Sequence, residues 1–377
     1  REMAAPGGGF CSSQDADSEG EEGKYYLWTL EEILDLLGPE DGRLFAAFYG
    51  VTAEGNFEGK NILHVTGTLE EVAARSGVTP EELQAVLARG RQRLLAAREQ
   101  RVKPGRDEKV LTSWNGMLLR ALAEAAAALG REDYRTAAEE TATFLLETLR
   151  PQGRLLRTFK DGRAHVLGYL EDYAHLIDGL LALYELTFAP RWLAEAEALA
   201  DAMLDLFWDE SLPGFYDTAR DHEQLIVRPR DVFDNATPSG NSTAVDVLFR
   251  LGVMLGKPLY QQRALTVLRS FASILQRAPA AFARLLIALD FALSDPPEIA
   301  IVGDPAAPDT RALLAVVRER YLPNRVIALL RPGEPATTPL LAGKSPRDGQ
   351  ATAYVCRGYV CTAPVSDPVA LAQQLGG

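Results

Sequence analysis

Three polar segments of the chain hold the residues best suited to chemistry. Each lies just before, or at the start of, a strongly apolar helical stretch. Their candidate residues are Asp107, Trp114 and Asn115; Glu171, Asp172, Tyr173 and His175; and Asp234, Asn235 and Asn241. Carboxylates and an imidazole are the usual groups of general acid–base catalysis. Aromatic rings beside acids suit a sugar, which offers an apolar ring face and a rim of hydroxyl groups.

Asp172 is the first candidate for a catalytic carboxylate. At a helix start its carboxylate would be oriented by backbone N–H groups, and it precedes His175 by three residues, so both lie on one helix face. Such a position lowers a carboxyl pKa, which suits a base. The acid is then expected to be Asp234, beside the apolar Phe233. The alternatives are helix capping by Thr112, Asp172 and Ser239, and a core role for His175.

The remaining candidates divide by side-chain type. Glu171 and Asp107 are further candidates for proton transfer. Trp114 and Tyr173 are expected to stack on a sugar ring, and the three asparagines Asn115, Asn235 and Asn241 are expected to bind its hydroxyl groups.

An acidic segment, residues 15–22, precedes a second group of aromatic residues. Its first half matches a calcium-binding EF-hand loop, but Tyr26 occupies the twelfth position, where a bidentate glutamate is required. Two alternatives stay open: a solvated acidic turn, or a polar lip on the same cavity to which Asp17 and Trp28 contribute. We predict no metal and no cofactor.

The elements that position these residues follow from helical periodicity. Between residues 116 and 275, helices that are apolar on all sides alternate with helices that have one apolar stripe. This order predicts two concentric layers, with the first kind inside. Turns with glycine and an apolar residue, followed by short hairpins, recur between helix pairs. The pattern predicts a mainly α fold, an (α/α) toroid, with the polar segments converging at the amino-terminal ends of the inner helices.

Residues 295–377 differ in character. Two short apolar runs, 298–303 and 325–330, flank an amphipathic helix, which predicts a parallel strand–helix–strand unit. A further strand near Tyr354 and a closing helix from Pro368 are expected. We therefore predict two domains, a toroid over 1–294 and a small α/β appendage over 295–377. The turn at Gly303 lacks a nucleotide-binding motif.

Composition excludes several classes of protein. The 377 residues carry a net charge of −13, which argues against nucleic acid and anionic membranes as partners. No apolar run reaches the 18 residues of a membrane span. Three cysteines exclude a disulfide-built fold and favour a reducing, cytoplasmic location. Cys356 and Cys361 are expected to be small buried residues on opposite faces of one strand.

The long motifs GFCSSQDADSEG (9–20), DEKVLTSWNG (107–116) and DNATPSGNS (234–242), together with Tyr354-Val355-Cys356, carry a resemblance. The chain resembles the thioredoxin-domain-containing proteins related to spermatogenesis-associated protein 20. The resemblance implies an amino-terminal thioredoxin-like domain followed by a six-hairpin-glycosidase-like (α/α)6 barrel, which is similar to sugar epimerases and unsaturated-glycan hydrolases.

The chain departs from the family pattern, because the thioredoxin-like domain and the first barrel helices are absent from it. We therefore expect a truncated toroid. Its expected function is an isomerase or hydrolase of a sugar or glycan. The alternative is a non-catalytic α-barrel scaffold that partners the absent thioredoxin-like domain.

Overall fold

A computed structural model describes residues 2–223 and 226–376, which form two compact units. The N-terminal unit is Ser13–Glu108. The main unit combines Arg1–Ser12 with Lys109–Gly377. The predicted domain boundary at residue 295 stays a prediction.

The N-terminal unit contains four helices and four two-residue strands. These are β1 (Ser13–Gln14), β2 (Asp17–Ser18), β3 (Glu21–Glu22), α1 (Leu30–Leu37), α2 (Pro39–Tyr49), α3 (Leu69–Ser76), α4 (Pro80–Arg98) and β4 (Arg106–Asp107). Helices α1, α3 and α4 are each capped by a threonine whose hydroxyl accepts the backbone N–H of a glutamate three residues later. The side chain of that glutamate accepts the backbone N–H of the threonine in return. In α4 the cap is Thr79, and Pro80 is the first helical residue.

The main unit is built of helical hairpins separated by short strands. Its first part comprises β5 (Val110–Leu111), α5 (Thr112–Leu129), α6 (Glu132–Thr148), β6 (Leu156–Lys160), β7 (Arg163–Leu167), α7 (Leu170–Thr187), α8 (Pro190–Phe207), β8 (Trp208–Asp209), β9 (Gly214–Phe215), α9 (Gly240–Leu255), α10 (Pro258–Arg277) and α11 (Ala283–Leu293). The helices α5, α7, α9 and α11 pack in a row, while α6, α8 and α10 each cover one side of it. The predicted mainly α class with two layers of paired helices is confirmed.

Glycines bring the inner helices into backbone contact. A Cβ atom on Gly116 of α5 would lie 2.6 Å from the carbonyl carbon of His175, and one on Gly179 of α7 would lie 2.6 Å from the oxygen of Gly116. Gly240 makes a similar approach to Glu171, where the distance would be 2.9 Å. Only glycine permits such separations, so these positions fix how closely the starts of α5, α7 and α9 approach.

The expectation that every inner helix is buried on all sides is wrong for α5. Almost every residue of α7 and α9 is buried, whereas α5 has an exposed side and its Leu129 is 66% exposed. The reason is its position, because α5 is the first helix of the row and has an inner neighbour within its unit on one side only.

The carboxyl-terminal part of the main unit contains a four-stranded sheet. Its elements are β10 (Glu298–Val302), α12 (Pro308–Arg318), β11 (Val326–Leu330), β12 (Thr352–Arg357), β13 (Val360–Cys361) and α13 (Pro368–Gln374). The strand order is β11-β10-β12-β13, with β10 and β11 parallel and the other pairs antiparallel. The predicted parallel strand–helix–strand unit, the strand near Tyr354 and the closing helix are confirmed.

The expectation for Cys356 and Cys361 is wrong, because the two residues form a disulfide. They do not share one strand. The chain reverses between them, so that Cys356 in β12 lies directly opposite Cys361 in β13. The third cysteine, Cys11, is free and buried. Among the helices that the structure describes, none combines the length and the apolar character needed to span a membrane.

Candidate functional site

Three inner helices each bond to a glycine-containing turn that lies earlier in the chain. The bonds are made by one polar side chain near the amino-terminal end of each helix. Asn115 of α5 accepts the N–H of Phe10 at 2.8 Å and donates to the oxygen of Phe10 at 3.0 Å. Asn241 of α9 makes the same pair of bonds with Phe215, at 3.3 and 3.2 Å. These side chains, which were predicted to bind sugar hydroxyls, are buried and bonded to backbone.

On α7 a tyrosine takes the corresponding place. The hydroxyl of Tyr173 accepts the N–H of Leu155 at 3.2 Å, and the ring is fully buried against Phe207. The predicted stacking residue is therefore an anchor for the third glycine-containing turn. Together Asn115, Tyr173 and Asn241 fix the turns around the amino-terminal ends of the inner helices.

Asp234 also bonds to backbone, at the starts of two helices. One carboxylate oxygen accepts the N–H of Ser239 at 2.9 Å, and the other accepts that of Arg284 at 2.8 Å, at the start of α11. Ser239 is the N-cap of α9, as predicted, and its hydroxyl accepts the N–H of Ser242. Asn235 is exposed.

Asp172 of α7 is fully buried, and its carboxylate bonds to the start of α5. Its oxygens accept the N–H of Ser113 at 3.0 Å, the N–H of Tyr169 at 2.8 Å, and Nη1 of Arg157 at 3.1 Å. Burial raises the pKa of Asp172 to about 6, although Arg157 and the two N–H groups act in the opposite direction. The expected lowering of this pKa is therefore wrong, because desolvation exceeds the effect of the helix start.

Two further expectations about the starts of α5 and α7 are corrected. Asp172 is the third residue of α7, and the N-cap is Tyr169. Thr112 lies inside α5 rather than capping it, and its hydroxyl donates to the oxygen of Leu156 at 2.7 Å. In both cases strand β6, which lies between α6 and α7 in the chain, supplies a partner: Leu156 for Thr112 and Arg157 for Asp172.

His175 is buried, and its ring bonds to a backbone carbonyl rather than to the expected partner, Asp172. Its Nε2 lies 3.2 Å from the oxygen of Pro238, whereas the bonds of Asp172 go to Arg157 and to backbone. Burial lowers the pKa of His175, which favours a neutral imidazole that donates to this carbonyl.

The accessible charges lie beside Asp172. Arg157 of β6 bonds to Glu171 at 2.6 Å as well as to Asp172, and its guanidinium lies over the Tyr169 ring, 4.8 Å from the ring centre. Glu171 and Arg157 are partly exposed. Together with Asp217, whose pKa the charge of Glu171 raises, these residues are called the acid cluster: Arg157, Glu171, Asp172 and Asp217.

Asp217 follows β9 and is partly buried. Its Oδ2 accepts the N–H of Asp231 at 2.7 Å, and its backbone oxygen accepts the N–H of Leu170 at the start of α7. Burial raises the pKa of Asp217 to about 6, and the charges of Asp231 and Glu171 add to this, while Arg230 opposes it. A carboxyl group with such a pKa can exchange protons near neutral pH.

Sequence reasoning missed Arg157 and Asp217, although the internal repeat carried a signal for them. Each lies two residues after the anchored apolar residue of its turn, Leu155 in one case and Phe215 in the other. Equivalent steps of a repeat place side chains at equivalent positions, so aligning the turns would have brought both residues to the inner-helix ends.

The other candidates lie apart from the acid cluster in the chain. Trp114, in the first turn of α5, is 44% exposed. Asp17, Trp28 and Asp107 belong to the N-terminal unit, where Trp28 is buried with the guanidinium of Arg101 4.0 Å from its ring centre.

The acidic segment contains the β2–β3 hairpin, and two of its carboxylates, Glu19 and Glu21, pair with lysines. Glu21 lies 3.0 Å from both Lys24 and Lys60, and these two cations lower its pKa. Among the described residues, no group of three or more histidine, cysteine, aspartate or glutamate side chains is arranged to hold a metal ion.

A ladder of alternating charges connects the inner helices further along their length. Asp178 bonds to Arg120 at 2.6 Å and to Arg284 at 2.9 Å, and Arg284 also bonds to Asp246 at 2.6 Å. The two arginines hold the pKa of Asp178 well below its usual range in spite of burial. Because each buried carboxylate faces arginine, the ladder joins four helices without leaving an unpaired acid.

Fold and site together define a mainly helical protein of paired helices with an acid cluster at the start of one inner helix, α7. No family model matches the chain. It is 34% identical over 417 aligned residues to human spermatogenesis-associated protein 20, an alignment that covers all of this chain and 53% of that protein. The chain thus spans about half the length of the curated relative. The resemblance recognised in the motifs is confirmed.

Solved structures of sugar-converting enzymes show weaker similarity. A cellobiose 2-epimerase from Bacillus thermoamylovorans is 14% identical, with a TM-score of 0.37 over 43% of this chain and 44% of that one. A D-mannose isomerase is 13% identical, with a TM-score of 0.36 over 77% of this chain and 65% of that one. At this level neither activity transfers to the chain, and the architecture described above rests on its own contacts.

Proposed function

We propose that the main unit is a carbohydrate-active protein that transfers protons to and from a sugar or glycan, as an isomerase or hydrolase. The observation that carries the proposal is Asp217, a partly buried carboxyl group whose pKa is raised to about 6 beside the accessible pair Glu171–Arg157. Isomerisation and glycoside cleavage both need a proton donor and a proton acceptor within reach of one substrate.

The roles follow from the contacts. Asp217 acts as the acid, because its raised pKa keeps a fraction of it protonated near neutral pH. Glu171, which Arg157 holds by an ion pair at 2.6 Å, acts as the base. The planar guanidinium of Arg157 and the ring of Tyr169 offer donors and an apolar surface to a sugar.

Asp172 acts as a positioning residue in this scheme. It is enclosed and cannot touch a substrate, but it bonds to Arg157 and to the start of α5. Removing its charge would release one of the two acids that orient the guanidinium of Arg157.

The test uses the 377-residue chain with a panel of mono- and oligosaccharides, read out by thermal shift and product analysis. We expect a sugar that raises the melting temperature and is converted. Asp217→Asn and Glu171→Gln should lower turnover by at least ~100-fold without loss of folding. The matched control is Asp205→Asn on the exposed face of α8, which should leave turnover unchanged. Equal activity of Asp217→Asn and the control would refute the roles given to the acid cluster.

A second candidate function is a non-catalytic scaffold that partners a thioredoxin-like domain. It is supported by the side chains of Asn115, Tyr173 and Asn241, whose polar groups are bonded to backbone rather than free for a ligand. A complete sugar panel without stabilisation or turnover, together with measurable binding of a separately produced thioredoxin-like domain of the family, would favour this function over the first.

A further inference from the structure

A second chemically reactive group lies in the carboxyl-terminal sheet, outside the acid cluster. Cys356 in β12 and Cys361 in β13 are paired directly opposite each other and are joined by a disulfide. Cys356 is buried, whereas Cys361 is exposed. Reagents in solution can therefore reach Cys361, whereas Cys356 lies within the sheet.

A buried carboxyl group lies next to this disulfide. Glu298 of β10 is directly opposite Cys356 in the antiparallel β10–β12 pair, and it is only 3% exposed. Residues directly opposite each other across antiparallel strands project from the same face of the sheet. Glu298, Cys356 and Cys361 therefore form a row across three neighbouring strands.

Glu298 also holds the turn that separates the two cysteines. Its Oε2 accepts the N–H of Tyr359 at 3.1 Å. Gly358 and Tyr359 have φ angles of 53° and 65°, the left-handed values of a two-residue hairpin turn. Tyrosine seldom adopts them, and the bond to Glu298, with a second from the tyrosine hydroxyl to the oxygen of Val253 at 3.1 Å, keeps it there.

Burial is the main influence on the Glu298 carboxyl group. Burial raises its pKa, and Asp295 adds to this, while the N–H groups of Tyr359 and Gly358 and the cation Lys344 oppose it. Burial lowers the pKa of Lys344 itself. Arg357 donates to the backbone oxygen of Asp295.

We propose that Cys356–Cys361 is a thiol–disulfide exchange site, opened by a dithiol at Cys361, with Glu298 as the proton donor to the departing sulfur of Cys356. The thiolate of the dithiol attacks Sγ of Cys361, the S–S bond breaks, and Cys356 leaves as a thiolate that takes the proton of Glu298. The second thiol of the reductant, once deprotonated, attacks the mixed disulfide and releases Cys361 as a thiolate, which is protonated from water. The protein disulfide is reduced and the dithiol is oxidised to its own disulfide.

The direction of attack follows from exposure and from proton supply. Cys361 is the sulfur that a reductant can approach, and the sulfur that leaves is the one beside the carboxyl group. Protonation removes the buried negative charge that would otherwise form on Cys356 and would cost desolvation energy. A reductant therefore opens this disulfide by attack at Cys361 and not at Cys356.

The experiment uses the folded 377-residue chain. Peptide mapping without reductant should find Cys356 linked to Cys361 and Cys11 unlinked. Dithiothreitol, followed by alkylation and mass measurement at intervals, should open the bond in folded protein, as monitored by circular dichroism. In Glu298→Gln, which keeps an acceptor for the Tyr359 N–H, opening should be at least ~10-fold slower at pH 7. Lys344→Met, which removes a neighbouring charge but no proton donor, is the matched control and should open within a factor of ~3 of wild type.

Single-cysteine variants test the site with Glu298 in place. With Cys356→Ser, the free Cys361 should react rapidly with an aromatic disulfide reagent; with Cys361→Ser, the buried Cys356 should react at least ~10-fold more slowly. The proposal is overturned by mapping that finds both cysteines free, by a bond that opens only on unfolding, by equal reactivity of the two single cysteines, or by a Glu298→Gln variant that opens as fast as wild type.

Discussion

The starts of α7 and α9 both carry polar residues, but these residues have different partners. At α9, the carboxylate of Asp234 and the amide of Asn241 are bonded to backbone groups of neighbouring turns. At α7, Glu171 and Asp172 share the guanidinium of Arg157, and Asp217 lies close enough for the charge of Glu171 to raise its pKa. The residues at the start of α9 therefore have a structural role, whereas the start of α7 carries ionisable groups with altered pKa values.

The difference shows that equivalent positions of a repeat have a structural role at one helix and carry ionisable groups at another. The turns at the starts of α5, α7 and α9 are held by Asn115, Tyr173 and Asn241, respectively. At the start of α9 the polar side chains bond to backbone, whereas at the start of α7 burial raises the pKa values of Asp172 and Asp217. The comparison predicts that changes at α9 alter folding and that changes at the acid cluster alter pH dependence.

The largest effect is expected for Asp234→Ala. It leaves the N–H groups of Ser239 and Arg284 without their acceptor at the starts of α9 and α11. We expect the free energy of unfolding in urea to fall by about 3 kcal/mol. Asp205→Ala, an exposed aspartate on α8, should change it by less than about 0.5 kcal/mol. Equal free energies of unfolding for the two variants would contradict a structural role for Asp234 at the starts of α9 and α11.

The next effect concerns the pH dependence of Asp172. Its folded pKa of about 6 lies above the unfolded value of about 3.9. The folded state therefore binds more protons between these values, and the stability that Asp172 contributes is present below pH ~4 and is lost as pH rises through ~6.

In Asp172→Asn this titration is absent. The wild-type free energy of unfolding, minus that of the variant, should fall by about 2 kcal/mol between pH 4 and pH 7. Urea unfolding of both proteins at intervals of half a pH unit measures the difference. A constant difference across this range would show that burial does not raise the pKa of Asp172.

The smallest effect is expected for Tyr173→Phe, which removes the anchor of α7 and keeps the buried ring. The N–H of Leu155 loses its acceptor, so the free energy of unfolding should fall by about 1 kcal/mol. Tyr321→Phe, at a highly exposed tyrosine, should have no measurable effect. A loss of stability no greater than that of Tyr321→Phe would show that the Tyr173 hydroxyl does not stabilise this turn.

The helices and hairpins were predictable because their signals are local. The apolar stripes of α8 and α10 follow the 3.6-residue period, and Asp161-Gly162 supplies the turn between β6 and β7. The parallel pairing of β10 with β11 followed from a helix placed between two apolar runs.

The site was predictable only in part. Glu171 and Asp172 were recognised as candidates, but Arg157 and Asp217 were not, because their hairpins approach α7 only in the folded chain. The pKa of Asp172 was predicted with the wrong sign, since the sequence shows the helix start but not the enclosure between α5 and α7. The disulfide was missed because the spacing of Cys356 and Cys361 was interpreted as one strand, whereas a turn lies between them.

The sequence by itself determined the element types, the alternation of inner and outer helices and the positions of the polar segments. These depend on periodicity and on turn residues, which act over a few residues of chain. The tertiary structure alone decided which polar groups are anchors and which are ionisable neighbours. Asn115 meets Phe10 across 105 residues, and Asp234 meets Arg284 across 50. Burial and partners at such separations set both hydrogen bonding and pKa, and a linear pattern does not contain them.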